Sequence, residues 1–313
     1  MKRFMKILVG VDLSWGDRLV AEELSAPNAG AVRQALWLAK QNSTSVCFFS
    51  SLDLSAKVQR LIAESSSDES TILDEAENQL AKLVTKAREE GVEAESHLSY
   101  GKSWVELIRH VLREGHDLVL VGTRHISAMQ GYLLGSTGIK LLRKCPCAVW
   151  VTQPLEDQLF DSILVAHDLR PVGDLAMDLG CSMAQLQQAQ LHVLHAAEYP
   201  ELDYIFPADI SAEKKDEYRR EAEKHIRAQL ANANLSQPAQ LHLTTEPPVI
   251  AIMDCAEQHN IDLIIMGTVG RTGISGFITG NTAERLLPQI SCSLLAVKPE
   301  GFRSPVTLDE EQD

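Results

Sequence analysis

HDLVLVGT runs from His116 to Thr123 and IDLIIMGT from Ile261 to Thr268, so one apolar stretch ending in Gly-Thr occurs twice in this chain. The likeness continues outward. LLRKCPCAVWVTQP (Leu141 to Pro154) aligns with LLPQISCSLLAVKP (Leu286 to Pro299). Asp117 thereby matches Asp262 and Leu141 matches Leu286, an offset of 145 in both cases. Nearer the N-terminus, ILVGVD (Ile7 to Asp12) aligns with ILVAHD (Ile163 to Asp168) at an offset of 156, whereas Ala39 already matches Ala184 at 145. The first copy therefore carries 11 extra residues between Asp12 and Ala39. A duplication on this scale is a repeated domain, and 313 residues suffice for two cores of ordinary size.

Each copy alternates strands with helices. In the second, SILVA is a short apolar strand, Asp174 to Gln187 reads as helix, and QLHVLHA as the next strand. Tyr218, Ala222, Ile226 and Leu230 recur every four residues, one face of a long helix over Ser211 to Asn232. AQLHLTT follows, and Pro248 suits the first turn of a helix over Val249 to His259. DLIIMG, a helix from about Asn281, and SLLAVK complete the unit. In the first copy Ser103-Trp104-Val105-Glu106 has the form of a capping box. Short apolar strands separated by helices require a parallel sheet covered on both faces, so the fold class is α/β, with two tandem Rossmann-like domains. We expect them over 1–153 and 158–300, joined by a short polar segment, with 301–313 as a mobile tail.

Composition narrows the function. Forty-five per cent hydrophobic and 23% charged residues describe a globular protein, and no apolar run is long enough for a signal peptide or a membrane span. A formal charge of −14 repels phosphate backbones, and no basic patch offsets it, so nucleic acid is not an expected partner. Six cysteines without a regular framework suit reduced thiols in a cytoplasm. Cys145-Pro146-Cys147 lacks a second pair at metal-ligand spacing, and we expect no metal site there or elsewhere. His192 and His195 share a strand, but three residues apart they point to opposite faces and make no ligand pair.

MGTVGRTGISGFITGNTAERL, Met266 to Leu286, places Gly267, Gly270, Gly273, Gly276 and Gly280 after the fourth strand of the second copy. Glycines admit backbone N–H groups close to a phosphate, and the loop runs into a helix N-terminus at Gly280-Asn281-Thr282, whose dipole favours an anion. A tight turn is the other reading of the same residues. The spacing is neither a dinucleotide fingerprint nor a Walker A loop, because no Gly-Lys-Ser/Thr closes it. The loop holds Arg271, Thr272, Thr279 and Asn281 but no histidine or carboxylate to act as a general base, so no catalytic residue is assigned. At most, slow ATP hydrolysis is expected.

Gly267-x2-Gly270-x9-Gly280-Asn281, with Asp168 ending the first strand, resembles the universal stress protein family of the adenine-nucleotide alpha-hydrolase-like superfamily. The resemblance covers nearly the whole chain, as two tandem domains. It implies an open five-stranded sheet of order 3-2-1-4-5 in each copy, and ATP or ADP, with or without Mg, as ligand. Asp168 would then face adenine and ribose, with Ala166 and His167 beside it and Met266 and Ala196 lining the base. Gly267, Gly270, Gly280, Asn281 and Thr282 would cradle phosphates, Arg271 adding charge or remaining a solvated loop residue. Asn281 replaces the family's hydroxyl residue, and its amide can still donate to a phosphate oxygen. His167 replaces a small residue. In the first copy, Gly122-x2-His125-x9-Gly135-Ser136 sets a ring where close approach is needed, so weak or no nucleotide binding is expected there. Family members pair through the last strand, which here predicts an internal pseudo-dimer, with a homodimer as a further option. A nucleotide sugar or another diphosphate-bearing ligand, or a scaffold without ligand, are the alternative readings.

Overall fold

The computed structural model describes residues 4–14, 19–54, 70–127, 131–133, 135–154, 160–197, 212–268, 281–286 and 289–308. The chain divides into two compact units, Met1–Gln158 with Phe302–Asp313, and Leu159–Gly301. Residues 302–308 belong to the first unit, where Arg109 Nε donates to the Thr307 carbonyl at 3.4 Å.

In the first unit the strands are β1 (Lys6–Gly10), β2 (Ser45–Leu52), β3 (Ala94–Tyr100), β4 (Leu118–Gly122) and, after a short hairpin, β7 (Ala148–Thr152). Helices α1 (Ala26–Asn42), α2 (Ser70–Glu89), α3 (Ser103–Glu114) and α4 (Ser136–Lys144) separate them. The parallel sheet runs β3-β2-β1-β4-β7. In the second unit β8 (Ser162–Ala166), α5 (Pro171–Gln187), β9 (Gln190–Ala196), α6 (Ala212–Leu230), β10 (Gln240–Thr244), α7 (Pro248–Gln258), β11 (Leu263–Gly267), α8 (Asn281–Leu286) and β12 (Ser293–Val297) repeat the plan. Its sheet runs β10-β9-β8-β11-β12. Both are the order 3-2-1-4-5 that the resemblance implied.

Register repeats as well: Cys47 pairs with Glu95, and His192 with Gln240, the same two positions shifted by 145. Right-handed crossovers place α5 and α6 on one face of the second sheet and α7 and α8 on the other, and α5 packs on α6 as α7 does on α8. Buried on both sides, β4, β8 and β11 are continuous apolar runs instead of alternating ones. The long-helix stripe also holds, with Ala222 and Ile226 buried and Tyr218 and Leu230 half-buried on α6.

Two local features differ from the sequence reading. The capping box does not form: Lys102 is the N-cap of α3, and no side chain caps the helix. Glu106 turns instead to Arg109, whose Nη1 lies 2.7 Å from Oε1, and Ser99 donates to its other oxygen at 3.4 Å. Arg109 sits one turn along the helix from Glu106, and a charge-assisted bond to it outcompetes a lone main-chain amide. After β4, Arg124–Ser127 (β5) and Gly131–Leu133 (β6) form an antiparallel hairpin with an irregularity between His125 and Ser127. This hairpin contains the position where the second copy has Gly270.

Candidate functional site

The carboxyl ends of β8 and β11 lie side by side, Ala166 opposite Met266. The β8–β9 and β11–β12 connections leave on opposite faces, so a crevice opens between these two strand ends, the general location of ligands in doubly wound sheets. Ala166, Gly267 and Ala196 are half-buried, Met266 is buried and Asp168 is exposed. Four residues, 167–170, separate β8 from α5, against fifteen, 11–25, between β1 and α1, which places the 11-residue insertion on this rim of the first unit. Asn281 opens α8 and Thr282 follows it half-buried. Gly270, Arg271 and Gly280 lie outside the described residues.

Gly267 answers to the helix as well as to any ligand. A Cβ there would lie 2.8 Å from Cγ1 of Val172 in the first turn of α5. Its counterpart Gly122 would place a Cβ 2.5 Å from the Pro27 carbonyl oxygen of α1. Each fourth strand thus ends on a glycine that lets the first helix approach. Gly173, inside α5, costs helix propensity, but a Cβ on it would collide with Oδ1 of Asp168 and stand 3.2 Å from Nδ1 of His167. The site acidic residue and its neighbour occupy the space that this glycine vacates.

His167 does not reach into the crevice as a free edge. The Leu169 N–H donates to its Nδ1 at 2.9 Å, which leaves the proton on Nε2. Nε2 then donates to Gln229 Oε1 at 3.0 Å, with Asp174 Oδ1 at 3.3 Å. Gln229 Nε2 and His225 Nε2 both donate to Asp174 Oδ1, at 2.6 and 2.9 Å. Behind it, His195 Nδ1 donates to the His167 carbonyl at 2.8 Å and its Nε2 lies 3.2 Å from the Tyr218 hydroxyl. Burial lowers the pKa of both His167 and His195, against the opposing pull of their hydrogen bonds, so both rings are held neutral. Burial would raise the Asp174 carboxyl, but its bonds from His225 and Gln229 outweigh that and hold it below the usual carboxylate range.

Sequence reading placed Ala166, His167, Asp168, Met266 and Gly267 together, and here they are neighbours. It did not find Asp174, His225, Gln229 and Tyr218 around His167. Those residues lie on α5 and α6, and no local spacing links them to β8; the one available signal was a run of polar residues on an otherwise packed helix face. His192 and His195 do face opposite ways: His195 meets Tyr218 of α6, whereas His192 meets His259, which follows α7.

The molecule is a tandem pair of doubly wound α/β units, each with its strand-order switch between the first and fourth strands. The Universal stress protein family matches over residues 3–153 and again over 159–298. The chain belongs to that family, with two of its domains in tandem. Universal stress protein E of Escherichia coli K12 is 30% identical over 229 residues, covering 68% of this chain and 71% of its own length. Universal stress protein E of Photorhabdus laumondii is 24% identical over 334 residues, 99% of this chain and 100% of that protein. A universal stress protein from Archaeoglobus fulgidus has the same fold, with a TM-score of 0.65 at 20% identity, over 95% of this chain and 99% of that one.

Proposed function

We propose that the second unit binds an adenine nucleotide, ATP or ADP, at the carboxyl ends of β8 and β11, and that the protein acts in stress response by presenting the occupied or empty unit to a partner. The observation that carries this reading is the pairing of Ala166 with Met266, which sets the Asp168 carboxylate and the start of the glycine loop on one crevice. Base and ribose would lie against Ala166, Ala196, Met266 and Asp168. Phosphates would meet Gly267, Gly270, Arg271, Gly280, Asn281 and Thr282, with Mg as an optional counter-ion. His167 contributes a wall and not a hydrogen bond, since both of its nitrogens are already engaged. None of the six cysteines is in a disulfide, which supports a reducing, cytoplasmic setting.

The test is a thermal-shift series on the full chain with ATP, ADP and a UDP-sugar, repeated on Gly270→Arg. A rise in Tm with ATP or ADP that the variant abolishes is the expected result. A response to the UDP-sugar alone would move the assignment to another diphosphate ligand, and no response to any of them would leave a scaffold.

A further inference from the structure

Two clusters of histidine and cysteine lie away from the nucleotide crevice, and the repeat relates them. In the second unit His192 on β9, His242 on β10, and Cys255 and His259 on and just after α7 converge. One candidate ligand atom from each lies within 4.8 Å of all the others. His192 Nδ1 is 3.0 Å from His242 Nε2, and the His259 ring centroid is 4.5 Å from that of His192 and 4.8 Å from that of His242. His192 and Cys255 are buried, and the other two are half-buried.

Moved back by 145, His192, His242 and Cys255 become Cys47, His97 and His110. One cysteine and two histidines thus occupy three equivalent positions in both units, with cysteine and histidine exchanged between strand and helix. In the first unit Cys47 Sγ is 3.6 Å from His110 Nε2, and His116 completes a buried group of three. Neither buried ring nitrogen of His116 makes a well-formed hydrogen bond, although the Lys6 main chain lies near enough to favour its charged form. Packing alone has no reason to keep a thiol and imidazoles together while exchanging their places. A shared requirement for soft and borderline donors has one.

We propose that the second unit binds one zinc-class divalent cation through His192, His242, Cys255 and His259, and that Cys47 and His110, at two of the equivalent positions, form a three-ligand group in the first with His116, whose own equivalent is Ile261. Tetrahedral zinc holds nitrogen and sulfur ligands about 3.3–3.8 Å apart, so small side-chain rotations bring this set onto a metal. None of the four donors is oxygen, which disfavours Mg and Ca and selects Zn or its neighbours. On binding, the Cys255 thiol gives up its proton to solvent and the sulfur bonds to the metal. Such a cation ties β10, the edge strand of its sheet, and β9 to α7.

Cobalt titration of the metal-stripped full chain tests this directly. One equivalent of Co²⁺ is expected to give the visible bands of a tetrahedral site and a thiolate charge-transfer band. Cys255→Ser should remove the charge-transfer band of this first equivalent, and Cys47→Ser should leave it. Zn²⁺ should displace the cobalt and raise Tm by roughly 5 °C. His259→Gln should weaken Zn²⁺ binding at least about tenfold while the far-ultraviolet circular dichroism stays native, which separates lost ligation from misfolding. Absence of tetrahedral cobalt bands in the wild type, or bands that depend on Cys47 and not on Cys255, would overturn the assignment and leave hydrogen-bonded ring stacks.

Discussion

Gly122 and Gly267 end the same strand in the two units, yet what leans on each differs. On Gly122 it is main chain, the Pro27 carbonyl of α1; on Gly267 it is the side chain of Val172. At the first glycine the obstacle is main chain, which moves only with its helix; at the second it is a β-branched side chain whose two methyl carbons lie 2.8 and 2.9 Å from the added Cβ. Around them the contrast widens. The repeat matches His167 and Asp174 with Val11 and Ala29, so these two members of the polar network in the second unit have apolar equivalents in the first. The exposed Asp12 is drawn into a local turn, where Ser14 Oγ donates to its Oδ1 at 2.6 Å and the Asn28 amide bonds its carbonyl at 2.9 Å. One duplicated frame thus carries one fourth-strand end backed by main chain and one bordered by hydrogen-bonding groups. A duplication can spend one copy on packing once the other keeps a site.

The difference at the glycines gives the largest expected effect. Gly122→Ala is expected to destabilise the protein by about 3 kcal/mol and Gly267→Ala by about 1 kcal/mol, because backbone yields less than a valine side chain. Urea denaturation of the two variants measures this; equal losses would erase the contrast. Ligand stoichiometry comes next. Isothermal titration with ATP should find one site per chain, weakened about tenfold by Asp168→Ala and unchanged by Asp12→Ala. Two equal sites would mean that the first unit binds nucleotide as well as the second.

The smallest difference lies in pH dependence. His167 and His195 have folded-state pKa values below the usual 6.5, so below that pH the unfolded chain binds protons that the folded rings refuse. Stability of the second unit should therefore be complete above about pH 6.5 and fall as the pH drops, until the folded rings themselves protonate. The slope is at most about 1.4 kcal/mol per pH unit for each ring. The first unit has Val11 and Ser50 at the matching positions and lacks this pair, although burial lowers the pKa of its own His110 and His116 to about 4 and adds a fall of the same sign there. Urea denaturation across that range, with His195→Gln removing part of the fall and Ser50→Ala none of it, sharpens or dissolves the comparison.

Much of this molecule was legible without coordinates. The duplication, the insertion and the Ala166–Asp168 and Met266–Gly267 strand ends follow from apolar periodicity and motif spacing, which act over a few residues and repeat along the chain, whereas the strand order was implied by the resemblance to the family. The capping box was misread because Glu106 had a better partner in Arg109, a competition that spacing alone does not reveal. The histidines were underread for a different reason. His192 lies 50 residues from His242 and 63 from Cys255, and Asp174 lies 55 from Gln229, so only strand register and helix docking bring them together.

By itself, then, the sequence determined two α/β units, because parallel strands buried on both faces must be apolar throughout and cannot be mistaken for amphipathic ones. Tertiary structure alone decided which side chains meet across those frames: the neutral ring of His167 against Gln229, the cysteine and histidine groups on the sheet faces, and carbonyl or valine above the glycine. Those meetings depend on ångström distances between elements far apart in the chain, and no local pattern encodes them.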